Sequence, residues 1–121
     1  MTKEGYTSNE RIKEESDFLR GNISDLLHDD SITHFPSEEE FLLKFHGITQ
    51  QDNRDERLIR KKNGQERNWL FMLRLRLPGG RMTPSQWLAA ETLSDQFGNG
   101  TLKLTTRQAI QIHGVVKQDL K

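Results

Sequence analysis

Between Trp69 and Leu77 an apolar residue stands at every second position, and the run stops at Pro78-Gly79-Gly80. A period of two marks a strand with one buried face. Trp69, Phe71, Leu73, Leu75 and Leu77 fall on one side, and Leu70, Met72, Arg74 and Arg76 on the other. Such a strand needs neighbours for its backbone and a cover for its apolar side. The residues that follow supply both. Thr83-Pro84-Ser85-Gln86 sets a cap, a first-turn proline and a capping-box glutamine in order. The helix it opens runs through Phe97, with Gly98 as its stop. "TLKLTT" (101–106) reads as a short strand with Leu102 and Leu104 on one face and Lys103 on the other. "RQAIQIHGVV" (107–116) reads as a further strand, where Ile110, Ile112 and Val116 alternate with Gln111, His113 and Val115.

The expected fold class is therefore α+β: a β-α-β-β unit whose antiparallel sheet carries one helix on one face. That helix covers Trp69, Phe71, Leu73, Leu75, Leu102, Leu104, Ile110 and Ile112, and both Trp69 and Trp87 read as core. The opposite face collects Arg74, Arg76, Lys103, Gln111 and His113. Three strands and one helix are fewer than a closed βαββαβ unit holds, so the unit reads as unfinished.

Residues 1–66 read differently, as an acidic and partly helical N-terminal arm before the unit at 67–121. Residues 1–60 hold 8 Lys/Arg against 14 Asp/Glu, and residues 61–121 hold 10 against 4, so a net charge of zero conceals an acidic half and a basic half. Residues 1–7 read as a frayed terminus. Ser8 or Asn9 is the expected cap of a helix reaching Arg20 and stopped by Gly21, and a short helix follows at Ile23–His28. "PSEEEFLLKFHG" (36–47) places Ser37 and Glu40 at capping-box spacing before Phe41, Leu42, Leu43 and Phe45. Residues 48–66 are polar with no dominant period, and read as an extended arm or loop with at most one helical turn. Arg76 is expected to pair with Asp52 or Asp55. Lys44 and His46 are expected where the arm docks.

Hydrophobic residues make up only 32% of the chain, so its core is small or completed by something else. There is no cysteine, which removes thiolate chemistry from these residues. His28 and His34 have no metal-ligand spacing. "MTKEGYTSNERIKEESDFLRG" has no apolar targeting segment, and no apolar run approaches the roughly 18 residues of a membrane span, so a cytoplasmic chain without a membrane partner is expected. Gly79-Gly80 before a helix lacks the GxxxxGK[ST] pattern of a nucleotide loop and reads as a tight turn. A cationic sheet face suits a polyanion. Sheet-faced RNA binders stack bases on exposed aromatic residues, whereas Trp69 and Phe71 alternate to the covered side, so nucleic acid is not the expected partner. An anionic cofactor or small oxyanion, a protein interface and an ordinary solvated face remain.

Taken together, "FMLRLRLPGG", "TPSQW" and "GNGTLKLTTRQAIQIHG" resemble the first ferredoxin-like half-domain of sirohaem-dependent sulfite and nitrite reductases. "SDFLRG" and "LLKFHGITQQDNRDER" are similar to the N-terminal arm of the haemoprotein beta components of assimilatory NADPH-dependent sulfite reductases. The resemblance runs from about residue 10 to residue 121. It implies a place in the six-electron reduction of sulfite to sulfide, a step of sulfur assimilation, on sirohaem coupled to a 4Fe-4S cluster. Electrons would come from a flavoprotein (alpha) component, and the remainder of the haemoprotein would be a further partner. It also implies that Arg74 holds the substrate anion and that Lys103, Arg107, Gln111 and His113 approach the sirohaem carboxylates. The family's cluster cysteines are absent, so this chain by itself is expected to be inactive. The alternatives are a fragment of a sirohaem nitrite reductase and a truncated non-catalytic chain that pairs with other proteins.

Overall fold

A computed structural model describes residues 5–121. The expectation of a frayed terminus lies outside the described residues for 1–4; Thr7 is the cap of the first helix. In chain order the elements are α1 (Ser8–Glu15), α2 (Ile23–His28), α3 (Ser37–Leu43), β1 (Ile48–Asp52), α4 (Arg54–Lys62), β2 (Trp69–Leu75), α5 (Pro84–Phe97), β3 (Leu102–Leu104) and β4 (Ile110–Val115). The fold is α+β, and its basic half has the β-α-β-β order that alternation and capping announce.

The sheet has four strands, not three, in the order β1-β2-β4-β3 with every neighbouring pair antiparallel. The fourth strand comes from the acidic half, where an extended arm or loop was expected. "ITQQD" carries almost no apolar alternation, so its sequence does not announce a strand. It becomes one because β2, a central strand, has a second row of backbone groups to satisfy. Asn53 then caps α4 through a hydrogen bond from the Asp55 N–H, and nine helical residues occupy what was expected to be loop.

The core is a cluster of Phe35, Leu43, Phe71, Ile112 and Val115. Phe35 meets Phe71 edge to face at 5.7 Å. Its backbone is held by a buried amide on β1: Phe35 N–H donates to Gln50 Oε1 at 2.7 Å, and Gln50 Nε2 donates to Phe35 C=O at 3.2 Å. Gln50 faces the core opposite Phe71, where a polar group is tolerated only because both ends of its amide are used.

Several local expectations are corrected. Thr7, not Ser8 or Asn9, closes a capping box with Glu10. α1 stops at Glu15 instead of Arg20, because Asp17, Phe18 and Leu19 all turn into the left-handed region (φ 51, 58 and 68°). α3 has no side-chain cap: Pro36 occupies the cap position, and its carbonyl accepts the Glu40 N–H at 2.8 Å. Thr83 and Gln86 form their capping box as expected. Gly98 does end α5, but through close approach and not a left-handed turn. A Cβ there would lie 2.7 Å from Ile112 Cγ2 and 2.8 Å from His113 O. Val115 is buried and Val116 exposed, the reverse of simple alternation. Gly114 (φ 78°) inserts a bulge, so His113 and Gly114 together oppose Met72 and the strand's faces exchange.

Leu104 and Trp87 are not core. Leu104 is 74% exposed at the end of a three-residue edge strand, and Trp87 is 40% exposed on α5. Only Ala90 and Ser94 of α5 are buried, so the helix touches the sheet along a narrow line. A groove of about 320 Å³ remains between α5 and the 3-10 turn Lys117–Leu120, with Leu73, Leu75, Leu93, Phe97, Ile112 and Val115 in its walls.

Replacing Gln50 by Leu removes both bonds to Phe35 and leaves its N–H and C=O buried without partners. The expected cost is about 2–4 kcal/mol in urea unfolding, while Gln51→Leu, on the exposed side of the same strand, should stay within about 0.5 kcal/mol.

Candidate functional site: a cationic sheet face

Strand register places the candidate residues. Arg74 on β2 stands opposite Gln111 on β4, which stands opposite Lys103 on β3, so these three form one cross-strand row on the face away from the core. His113 lies on the same face, with its Nε2 3.0 Å from Gln111 Oε1. That oxygen can only accept, so the ring nitrogen donates.

Arg107 reaches this face by a different route. It sits in the β3–β4 turn, where Thr105 N–H donates to Ala109 O at 2.9 Å. Thr105 Oγ1 accepts from the N–H groups of Arg107 and Ala109, at 3.3 and 3.2 Å. Gln108 occupies the left-handed region (φ 54°) and closes the turn. The turn rests on the Pro-Gly-Gly corner after β2: a Cβ on Gly80 would fall 2.9 Å from Gln108 Cβ. "LPGG" and "TTRQ" are therefore two sides of one contact.

The face is divided into two clefts. One, of about 620 Å³, is lined by Arg74, Arg76 and Arg107 together with Lys44 and His46 from the segment before β1. The other, of about 480 Å³, holds Lys103 and His113 with Gln51, Asp52, Arg54 and Arg57. The structure thus brings Arg74 and Arg107 into one cleft and Lys103 and His113 into the next, with Gln111 in the row between them.

Among the described residues, Arg74, Arg76, Lys103 and Arg107 have no carboxylate within 4.0 Å. The expected pairing of Arg76 with Asp52 or Asp55 does not form. Asp52 is held instead by the Arg57 guanidinium through two oxygens, and that hydrogen bond is the main reason its carboxyl is held below the usual range. Arg76 instead lines the cleft of Arg74 and Arg107, because the only acidic side chain expected near it that is held in an ion pair, Asp52, is taken by Arg57. The parity of Arg76 with Arg74 on β2 was the available signal. His46 keeps its docking role, its Nε2 donating to Leu19 O at 2.8 Å.

The His113 pKa is lowered, first by burial and second by the nearby Lys103 ammonium. Among the described residues no group of three or more His, Asp or Glu is placed to hold a metal ion. His28 bonds its own helix through Ser24 O, and His34 stacks on Trp69 at 4.6 Å. Arg67 lies 5.6 Å from the same indole, so half-buried Trp69 is a contact between segments and not core. No helix among the described residues is long and apolar enough to cross a membrane.

An open antiparallel sheet, with α5 against one face and cations without a carboxylate partner among the described residues on the other, defines an α+β unit with a cationic face. Residues 63–121 match the family described as the nitrite/sulfite reductase ferredoxin-like half domain, and this part of the chain belongs to that family. It is 59% identical over 114 residues to the sulfite reductase (NADPH) subunit beta of Saccharomyces cerevisiae, covering 94% of this chain and 8% of the yeast protein. To the sulfite reductase (NADPH) hemoprotein beta-component of Shouchella clausii it is 47% identical, covering 99% of this chain and 21% of that protein. The corresponding protein of Bacillus subtilis is 48% identical, covering 93% and 20%. The chain therefore spans about a fifth or less of the length of these relatives.

In an NMR titration His113 should protonate below the ordinary value of 6.5. Lys103→Gln should raise its pKa only part of the way back, since burial, the larger cause, remains. A His113 that titrates above 6.5 in the native chain would contradict this reading of the face.

Proposed function

We propose that this chain forms part of the haemoprotein of an NADPH-dependent sulfite reductase, as the N-terminal arm (1–66) and first half-domain (67–121). Its cationic face would hold the carboxylates of sirohaem and the sulfite anion. The reading is carried by the cross-strand row Arg74–Gln111–Lys103, with Arg107 nearby, since among the described residues its cations have no carboxylate within 4.0 Å to neutralise them. Like charges gathered at a surface repel one another, and fixed cations left unpaired are suited to an anion from outside. The fit to a polycarboxylate macrocycle is chemical: guanidinium and ammonium groups, an amide and a protonated imidazole are all carboxylate donors.

In this reading Arg74 binds and orients a sulfite oxygen, stabilising the charge that grows as oxygen leaves. Lys103, Arg107, Gln111 and His113 take the sirohaem carboxylates. Sirohaem, when bound, supplies the electron transfer to the sulfur. Thiolate ligands for a 4Fe-4S cluster would have to come from outside these residues, which include no cysteine. Electrons would arrive from a flavoprotein that draws on NADPH, which points to the cytoplasm. Sulfite is preferred to nitrite because the matched relatives are named for sulfite.

The test is a chimaera in which the matched stretch of this chain replaces its counterpart in the Bacillus subtilis protein. Sulfide formation is then followed with reduced methyl viologen as donor. Arg74→Ala should lower kcat by about 100-fold at unchanged sirohaem content, whereas Arg107→Ala should lower the sirohaem content itself. Full turnover in the first variant and full sirohaem in the second would refute the proposal.

A further inference from the structure

Lys44 lies outside the stretch that matches the half-domain family, yet it shares a cleft with Arg74, Arg76 and Arg107. Its position is fixed from three directions. Gly47 (φ 78°) closes the 3-10 turn Lys44–His46 with its N–H on Lys44 O, at 3.3 Å. The Gly47 carbonyl accepts Arg74 N–H at 2.8 Å, and a Cβ at Gly47 would fall 3.1 Å from Arg74 O, so the turn lies directly against the strand that carries Arg74. His46 ties the turn to Leu19 O at 2.8 Å, and Phe45 packs edge to face on Phe41 at 5.4 Å.

The neighbours of Lys44 therefore do structural work, while Lys44 itself does none that the structure records. Among the described residues its ammonium has no hydrogen bond or ion pair, and the same is true of the Arg76 guanidinium. None of Glu38, Glu39 and Glu40 lines this cleft: Glu38 faces Arg11 at 4.0 Å, and buried Glu39 lies with Leu42 beside Gly21 in another pocket. Among the described residues, four cations and no carboxylate line one space of about 620 Å³. A single small anion meets at most part of that charge, whereas an edge bearing two or more carboxylates meets most of it.

We infer that Lys44 and Arg76 are carboxylate-binding residues of this cleft, which recognises a polycarboxylate edge and is built jointly by the acidic half and the half-domain. The inference rests on the reading of the face as a sirohaem site. It adds two residues, one of them supplied by the arm.

The probe is uroporphyrin, a metal-free porphyrin with a carboxylate on every side chain, titrated into the 121-residue chain and followed by porphyrin fluorescence and by amide shifts. Binding should move the amides of Gly47, Arg74 and Ala109. Lys44→Gln and Arg76→Gln should each weaken binding by about fivefold with unchanged circular dichroism, and Lys44→Arg should restore it. If Arg107→Gln weakens binding and the Lys44 and Arg76 variants do not, the inference is overturned and the underlying reading stands. If the folded native chain does not bind uroporphyrin, both fall together.

Discussion

The antiparallel pairing of β2 with β4 governs the rest of the molecule. One ladder aligns Leu73 with Ile112 and, a single residue further, Arg74 with Gln111. β3 extends both rows, to Leu102 and Lys103. The apolar core row and the polar site row are thus consecutive rungs of the same pairing. A slip of one residue would carry the arginine into the core and the leucine to the open face. The bulge at His113–Gly114 then lets Val115 return to the core while His113 stays on the polar side. Asn99 N–H fastens it by donating to His113 O at 2.8 Å, and Gly98 gives the helix end room to approach.

The opposed charges of the two halves are only partly cancelled where the halves meet. Lys117 is buried, and its ammonium donates to the carbonyls of Asp29 at 2.7 Å and Leu27 at 3.4 Å, at the C-terminal end of α2. Lys121 pairs with Asp30 at 2.7 Å. These lysines bind the basic half to the acidic one on the core side of the sheet. Among the described residues Arg74, Arg76, Lys103 and Arg107 on the other face receive no such partner, although the acidic half supplies β1 and the Lys44–His46 turn beside them. Charge is satisfied where the chain closes on itself and by the Arg57–Asp52 pair in the second cleft, while the cleft of Lys44, Arg74, Arg76 and Arg107 holds no ion pair among the described residues.

Much of this was legible in the sequence wherever a short-range rule applied. Trp69–Leu75 had to be a strand because its alternation is unbroken, and Thr83–Gln86 had to open a helix because cap, proline and glutamine stand in order. From those elements the shared face of Arg74, Lys103, Gln111 and His113 followed, since side-chain parity along a strand is a local property. The resemblance to the sirohaem reductases rested on motifs that the fold brings into contact, "LPGG" against "TTRQ". Residues 48–62 were not legible: a polar strand has no signature of its own and exists here because β2 offers it a pairing edge. Val115, Leu104 and Trp87 failed for related reasons. A glycine bulge reverses parity, and burial depends on what covers a surface.

By itself the sequence determined the order of elements in the basic half and the split between an apolar and a cationic side, because periodicity and capping act over a few residues. Tertiary structure alone decided that the acidic half would contribute the fourth strand and the Gln50 amide that holds Phe35. It also decided that Arg57, not Arg76, would take Asp52, and that Lys44 would join Arg74 and Arg107. Each of these depends on distances between residues remote in the chain, and such distances exist only once the strands have paired.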